Sequence, residues 1–166
     1  MKTVIYCATR SGNTRAVADA IADGLRPLGS VDVHALDGGR PDVPSDADLV
    51  LVGGPTEGHR ATPAVLDFLE ALPADALVGR AAAAFDTRVD WPRWLSGSAA
   101  SDIAKKLNAH GARVVAEPES FIVSMKPELL PGELDRALAW GAALAGFVSP
   151  VPQVPRADRA GVGGAS

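Results

Sequence analysis

The chain has 166 residues, 47% of them hydrophobic and 22% charged, with a formal net charge of −4. That length suits one domain burying about two-thirds of its unfolded surface, and the acidic balance excludes a general nucleic-acid footprint. A lone Cys7 excludes an internal disulfide and suits a reducing cytoplasm, and no apolar run approaches the roughly 20 residues of a membrane span.

The first apolar run, Thr3–Cys7, predicts a strand starting almost at Met1, which leaves no room for the charged and apolar regions of a signal peptide. Directly behind it, Thr9-Arg10-Ser11-Gly12-Asn13-Thr14 reads as a tight loop feeding a helix from about Thr14 to Leu25, with Val17, Ala20, Ile21 and Leu25 on its apolar stripe. Strand, hydroxyl-rich turn and helix start point backbone N–H groups and three hydroxyls at one spot. The occupant that suits such a spot is a phosphate dianion.

Val31–Leu36 predicts the second strand, and the Gly-, Pro- and Asp-rich stretch 37–46 predicts a loop or single turn where a crossover helix would stand. Leu49–Gly53 is the third strand, running into Gly53-Gly54-Pro55-Thr56. Thr62-Pro63, a cap with proline at the first helical position, opens a helix over 64–72 that stops before Pro73. Ala81–Phe85 is the fourth strand. A helix from Ser98 or Ser101 ends near His110-Gly111, a glycine stop. The last apolar run, 113–123, breaks near Pro118. A final helix runs from about Pro131-Gly132-Glu133 to Phe147, with Leu134, Leu138, Ala142 and Leu144 expected inward. Residues 1–148 thus form the domain, and 149–166, with two Val-Pro steps and a glycine-rich end, predict a disordered tail. Five strands alternating with crossovers make a three-layer α/β domain with a parallel sheet covered on both faces.

Spacing narrows the phosphate loop. No Gly-Lys pair exists for a Walker loop, and the dinucleotide Gly-x-Gly-x-x-Gly is absent after the first strand. A cysteine phosphatase needs arginine six positions after its cysteine; here Asn13 stands there and Arg15 two further on. Neither metal-binding His-Glu-x-x-His or Cys-x-x-Cys spacing nor a hydrolase Gly-x-Ser-x-Gly elbow occurs. Cys7 reads as a small buried hydrophobe and Trp140 as a packing residue, while His34 and His110 sit at element ends.

What remains, Thr9, Ser11, Gly12, Asn13 and Thr14 with Arg10 in the variable slot, resembles the first loop of the flavodoxin-like flavin mononucleotide (FMN) proteins. Gly53-Gly54-Pro55-Thr56 is similar to their second element, and Asp86-Thr87-Arg88-Val89-Asp90-Trp91-Pro92-Arg93-Trp94 to their loop beside the flavin ring. The resemblance spans about residues 2–147. It implies strand order 2-1-3-4-5, with ligand at the switch point between strands one and three, and noncovalent FMN as cofactor. It also implies an electron-transfer role toward a redox partner protein or a small quinone-like acceptor. The implied binding residues are Thr9, Arg10, Ser11, Gly12, Asn13 and Thr14 for the phosphate, and Pro55, Thr56, Glu57, Gly58, His59, Asp86, Thr87, Arg88 and Trp91 nearer the ring.

Two departures from that pattern carry expectations. The loop after strand three, Glu57-Gly58-His59-Arg60, offers no aromatic except His59, so one ring face is open or covered by His59, with Trp91 or Trp94 stacking from the other side. Arg10, Arg60, Arg88 and Arg93 are balanced only by Glu57, Asp86 and Asp90 where the family has acidic surroundings, which implies a potential less negative than that of a low-potential carrier. An open face also keeps two alternatives: a small FMN-dependent quinone or protoporphyrinogen-type reductase, and a flavin-free scaffold of the same fold.

Overall fold

Period-two alternation builds the two cores. Along β1 (Lys2–Cys7), Val4 and Tyr6 are buried on one face of the sheet while Ile5 and Cys7 are buried on the other. In the computed structural model, which describes residues 1–37, 39 and 41–148, the elements follow as α1 (Asn13–Leu25), β2 (Ser30–Ala35), β3 (Leu49–Glu57) and β4 (Arg60–Ala61). Then come α2 (Pro63–Ala71), β5 (Ala81–Val89), α3 (Arg93–Ser96), α4 (Ala99–Ala109), β6 (Arg113–Val114), β7 (Glu119–Val123) and α5 (Glu133–Leu144).

The main sheet is parallel in the order β2-β1-β3-β5, with β6 and β7 sharing the place beyond β5. The expected five-position order is therefore present, and the break near Pro118 splits its fifth strand into two pieces. β4 is a short antiparallel arm folded back on the end of β3. Helices α2 and α4 cover the Val4/Tyr6 face, α1 and α5 the other. No helix interrupts 37–46 among the described residues, and none of the described helices is long and apolar enough to cross a membrane. The tail expected over 149–166 lies outside the described residues.

Helix α5 corrects one expectation. Leu134 and Leu138 are 45% and 46% exposed and Ala142 is exposed, whereas Ala137, Gly141 and Leu144 face inward. The cause is how closely α1 and α5 cross. A Cβ on Gly141 would collide with the Ile21 carbonyl, and one on Gly24 with the Leu138 carbonyl. Only small residues fit between backbones that near, so the leucine stripe turns to the outer side.

The free edge of β7 is occupied. The Ile122 amide donates to Glu133 Oε2 at 2.7 Å, and Arg136 donates to the Ser120 carbonyl while its guanidinium lies 4.6 Å from the centre of the Phe121 ring. Arg136 also pairs with Glu119 at 2.8 Å.

Burial gives β1 an alkaline signature. The Tyr6 hydroxyl donates to the Asp42 carbonyl at 2.8 Å, and its ring packs on Phe68. Burial pushes the Tyr6 phenol from 10.0 up to about 12, and the Cys7 thiol from 9.0 up to about 11. Both pKa values are higher folded than unfolded, so their contribution is complete below pH 9 and is lost as pH climbs from 9 to 12. Urea melts across that range are expected to show stability falling steadily. A flat profile would count against burial of these groups. Below pH 9, Cys7 is expected to resist thiol reagents until the chain unfolds.

Candidate functional site

A cleft of about 360 Å³ opens at the carboxyl ends of β1, β3 and β5. After β1, Gly12 takes φ +85, a left-handed conformation that glycine adopts without strain, and it caps the 13-residue α1. Its N–H donates to Thr9 Oγ1 at 2.9 Å, closing the turn. Among the described residues, the amides of Ser11, Asn13, Thr14 and Arg15 find no acceptor, and the first helical bond runs from Ala16 N–H to the Gly12 carbonyl. A positive helix end with several free donors is an anion cradle.

Asn13 reaches sideways, donating to Ser11 Oγ at 3.0 Å and to the Pro127 carbonyl at 2.6 Å, which pins the segment after β7 to the cradle. Beneath, the Thr14 and Thr87 hydroxyls share a buried hydrogen bond of 2.8 Å. That bond couples the first loop to β5.

The loops after β3 and β5 form the opposite walls. His59 is the one non-glycine residue with positive φ, at 71°, among those described. Its backbone lies against Gly97, where a Cβ would collide with it. Arg88 donates to the Trp91 carbonyl at 2.9 Å and to Ser96 Oγ at 3.3 Å, fixing the loop that carries Trp91.

Of the expected site residues, Arg10, Ser11, Asn13, Pro55, Thr56, Glu57, Gly58, His59, Thr87, Arg88 and Trp91 line the cleft. Thr9, Gly12 and Thr14 belong to the cradle without forming the cleft wall, Thr9 beside a smaller cavity of about 180 Å³. Asp86 departs from expectation: it is fully buried under the cleft, where Oδ2 accepts from Ala100 N–H at 2.9 Å. Strand alternation places Thr87 toward α1 and Asp86 toward α4. Trp94 is 83% exposed and outside the cleft wall, because the single turn of α3 between Pro92 and Gly97 turns it away; Trp91 is the tryptophan in the wall. Val89, Leu95, Ser96, Val123 and Pro127 also line the cleft without having been expected. Val89 and Val123 end strands and Leu95 and Ser96 lie in a single helical turn, positions that carry no motif, and nothing local marks the 124–130 segment as a wall.

Charge is partly committed. Arg10 pairs with Glu57 at 3.1 Å across the mouth, and Arg88 is tied to the carbonyl of its own loop. Among the described residues, no group of three or more His, Cys, Asp or Glu side chains is placed to hold a metal ion.

The model of the family described as "Flavodoxin domain" matches residues 4–91. Among solved structures, the chain is similar to oxidised flavodoxin 1 from Bacillus cereus at 28% identity and TM-score 0.74, covering 90% of this chain and all of that one. It also resembles a Streptococcus pneumoniae flavodoxin at 24% identity and TM-score 0.71, covering 89% and 100%. A third likeness is rubredoxin oxygen:oxidoreductase from Desulfovibrio gigas, at 17% identity and TM-score 0.70, where the match covers 87% of this chain and 35% of the longer protein. A search of curated proteins finds no match.

Proposed function

Since the chain belongs to the flavodoxin domain family, we propose that it holds FMN noncovalently in this cleft and passes electrons between partners. The observation that carries the reading is the cradle: free amides at the start of α1, with the Ser11 hydroxyl at the cleft wall, suit a phosphate without any fixed lysine. When bound, FMN supplies one- or two-electron transfer at its ring. The protein's part is to anchor and orient. The Thr9–Thr14 loop would take the phosphate, and Pro55, Thr56 and Thr87 of the cleft wall would hold the part of the cofactor next to it. Trp91 would hold the ring by stacking, and Glu57, Gly58 and His59 would hold it from the loop after β3. No side chain is required to move a proton.

The spectrum of the purified protein tests this. Flavin bands in the visible, and stoichiometric quenching of FMN fluorescence by the apoprotein, are expected; a colourless protein that quenches nothing overturns the reading in favour of a flavin-free scaffold. A redox titration of the same complex is expected to give a potential above that of low-potential carriers, because Arg88 carries positive charge in the cleft wall, where it bonds carbonyls and a hydroxyl rather than a carboxylate.

Trp91 and Trp94 separate stacking from mere exposure. Trp91→Ala is expected to weaken FMN binding by about tenfold, on the order of 1 kcal/mol of stacking. Trp94→Ala is expected to leave it unchanged. Titrations giving the reverse order would remove Trp91 from the ring site.

A second reading has one observation in its favour. His59 is exposed and, among the described residues, Trp91 is the one Phe, Tyr or Trp lining the cleft, so a flat acceptor has access on the His59 side. On that reading the chain is a reductase, and steady NAD(P)H-dependent reduction of a quinone by the isolated protein would select it.

A further inference from the structure

Asp86 is a charge where the fold alone asks for none. It follows Ala82 and Ala84 on the same face of β5, is 0% exposed, and stands beside Gly54 of β3. A buried carboxylate costs several kcal/mol unless its partners offset it, and a small apolar residue there would avoid that cost.

Its bonds run to both ring-side loops. Oδ2 accepts from Thr56 Oγ1 at 3.1 Å, from Ser98 Oγ at 2.8 Å and from the Ala100 amide at 2.9 Å. Thr56 Oγ1 in turn accepts from the Ala99 amide at 2.9 Å. Thr56 begins the segment that carries Glu57, Gly58 and His59; Ser98 ends the one that carries Trp91. The carboxylate sits at the positive end of α4, which favours its negative charge. Near the mouth, the His59 backbone rests on Gly97 and couples the same two loops again.

We propose that Asp86 is the positioning residue of the cleft: one buried carboxylate locks the loops after β3 and β5 to the start of α4, and so sets the gap between His59 and Trp91 into which a flavin ring fits. This rests on the flavin reading above. The lock is geometric, and the other oxygen shows how to isolate it. Oδ1 is buried and has no donor among the described residues. An asparagine carbonyl in the place of Oδ2 keeps all three donors, while alanine loses them.

The test compares Asp86→Ala with Asp86→Asn by FMN titration and by hydrogen exchange of the apoprotein. Asp86→Ala is expected to weaken FMN binding by about tenfold or more, to alter the visible circular dichroism of bound flavin, and to expose the amides of 57–60 and 91–98 together. Asp86→Asn is expected to bind within about threefold of the wild type and to keep both loops protected. Unchanged binding in Asp86→Ala, loss of protection in one loop only, or Asp86→Asn failing as badly as Asp86→Ala each overturns the proposal. If Asp86→Ala does not fold, Ser98→Ala removes one donor from a residue outside the cleft wall. It is expected to weaken FMN binding by about threefold or more, and unchanged binding would count against the lock. If the wild type itself binds no FMN, the flavin reading falls, and the exchange arm still decides whether Asp86 couples the loops.

Discussion

Gly141→Ala is expected to lower stability by about 3 kcal/mol or more, about 10 °C in Tm, although alanine is the better helix former. Propensity alone favours the substitution by up to about 1 kcal/mol. Against it stands the Ile21 backbone: the new Cβ would meet its carbonyl oxygen, with the Ile21 Cα at 3.0 Å. Backbone cannot rotate aside as a side-chain tip can, so α5 must lift from α1 and open the apolar layer around Ile21, Leu25 and Leu144. Gly146→Ala is the control, with nothing within 4 Å of its added carbon. Thermal melts should separate the two variants widely; equal Tm values would mean the helices cross farther apart than described.

The second large effect is Ser11→Glu, which is expected to reduce FMN affinity by at least about a hundredfold while leaving the apoprotein as stable or slightly more so. Ser11 is exposed at the cradle beside amides with no acceptor. A carboxylate there gains about 0.3–1 kcal/mol from the helix end and occupies the place of the phosphate, with like charge repelling the incoming dianion. Riboflavin, which has no phosphate, is expected to lose far less. If FMN and riboflavin weaken equally, the cradle is not what holds the cofactor.

The fold was legible wherever pattern and burial coincide. The apolar runs Thr3–Cys7 and Leu49–Gly53 and the Thr62-Pro63 start gave two strands and a helix, with ends within a residue of those observed except that β3 runs four residues further, to Glu57. Helix α5 was misread because hydrophobic spacing puts Leu134 and Leu138 on a stripe without saying which stripe a neighbouring backbone leaves room for; Gly24 and Gly141 held that information as a pair far apart in sequence. The site divides in the same way. Loop residues with backbone or hydroxyl roles, Ser11 to Thr14 and Thr56, were readable from the order of residue types. Asp86 was not, since a carboxylate after a strand points into the cleft or under it according to a register that only pairing with Gly54 and Pro55 fixes. Trp91 and Trp94 were indistinguishable until the turn of helix that carries Trp94 decided which of them lines the cleft.

The outer side of β7 has one more consequence. With the Ile122 amide bonded to Glu133 and the Ser120 carbonyl to Arg136, this border of the sheet has few groups left to template another chain. Growth by strand addition, the usual route to cross-β assembly at a bare sheet border, is closed on that side by Glu133 and Arg136 of α5 and by the Leu130 amide, which donates to the Ile122 carbonyl. Three neighbouring charges, Glu119, Glu133 and Arg136, thus stand at this border in place of a bare row of backbone donors and acceptors.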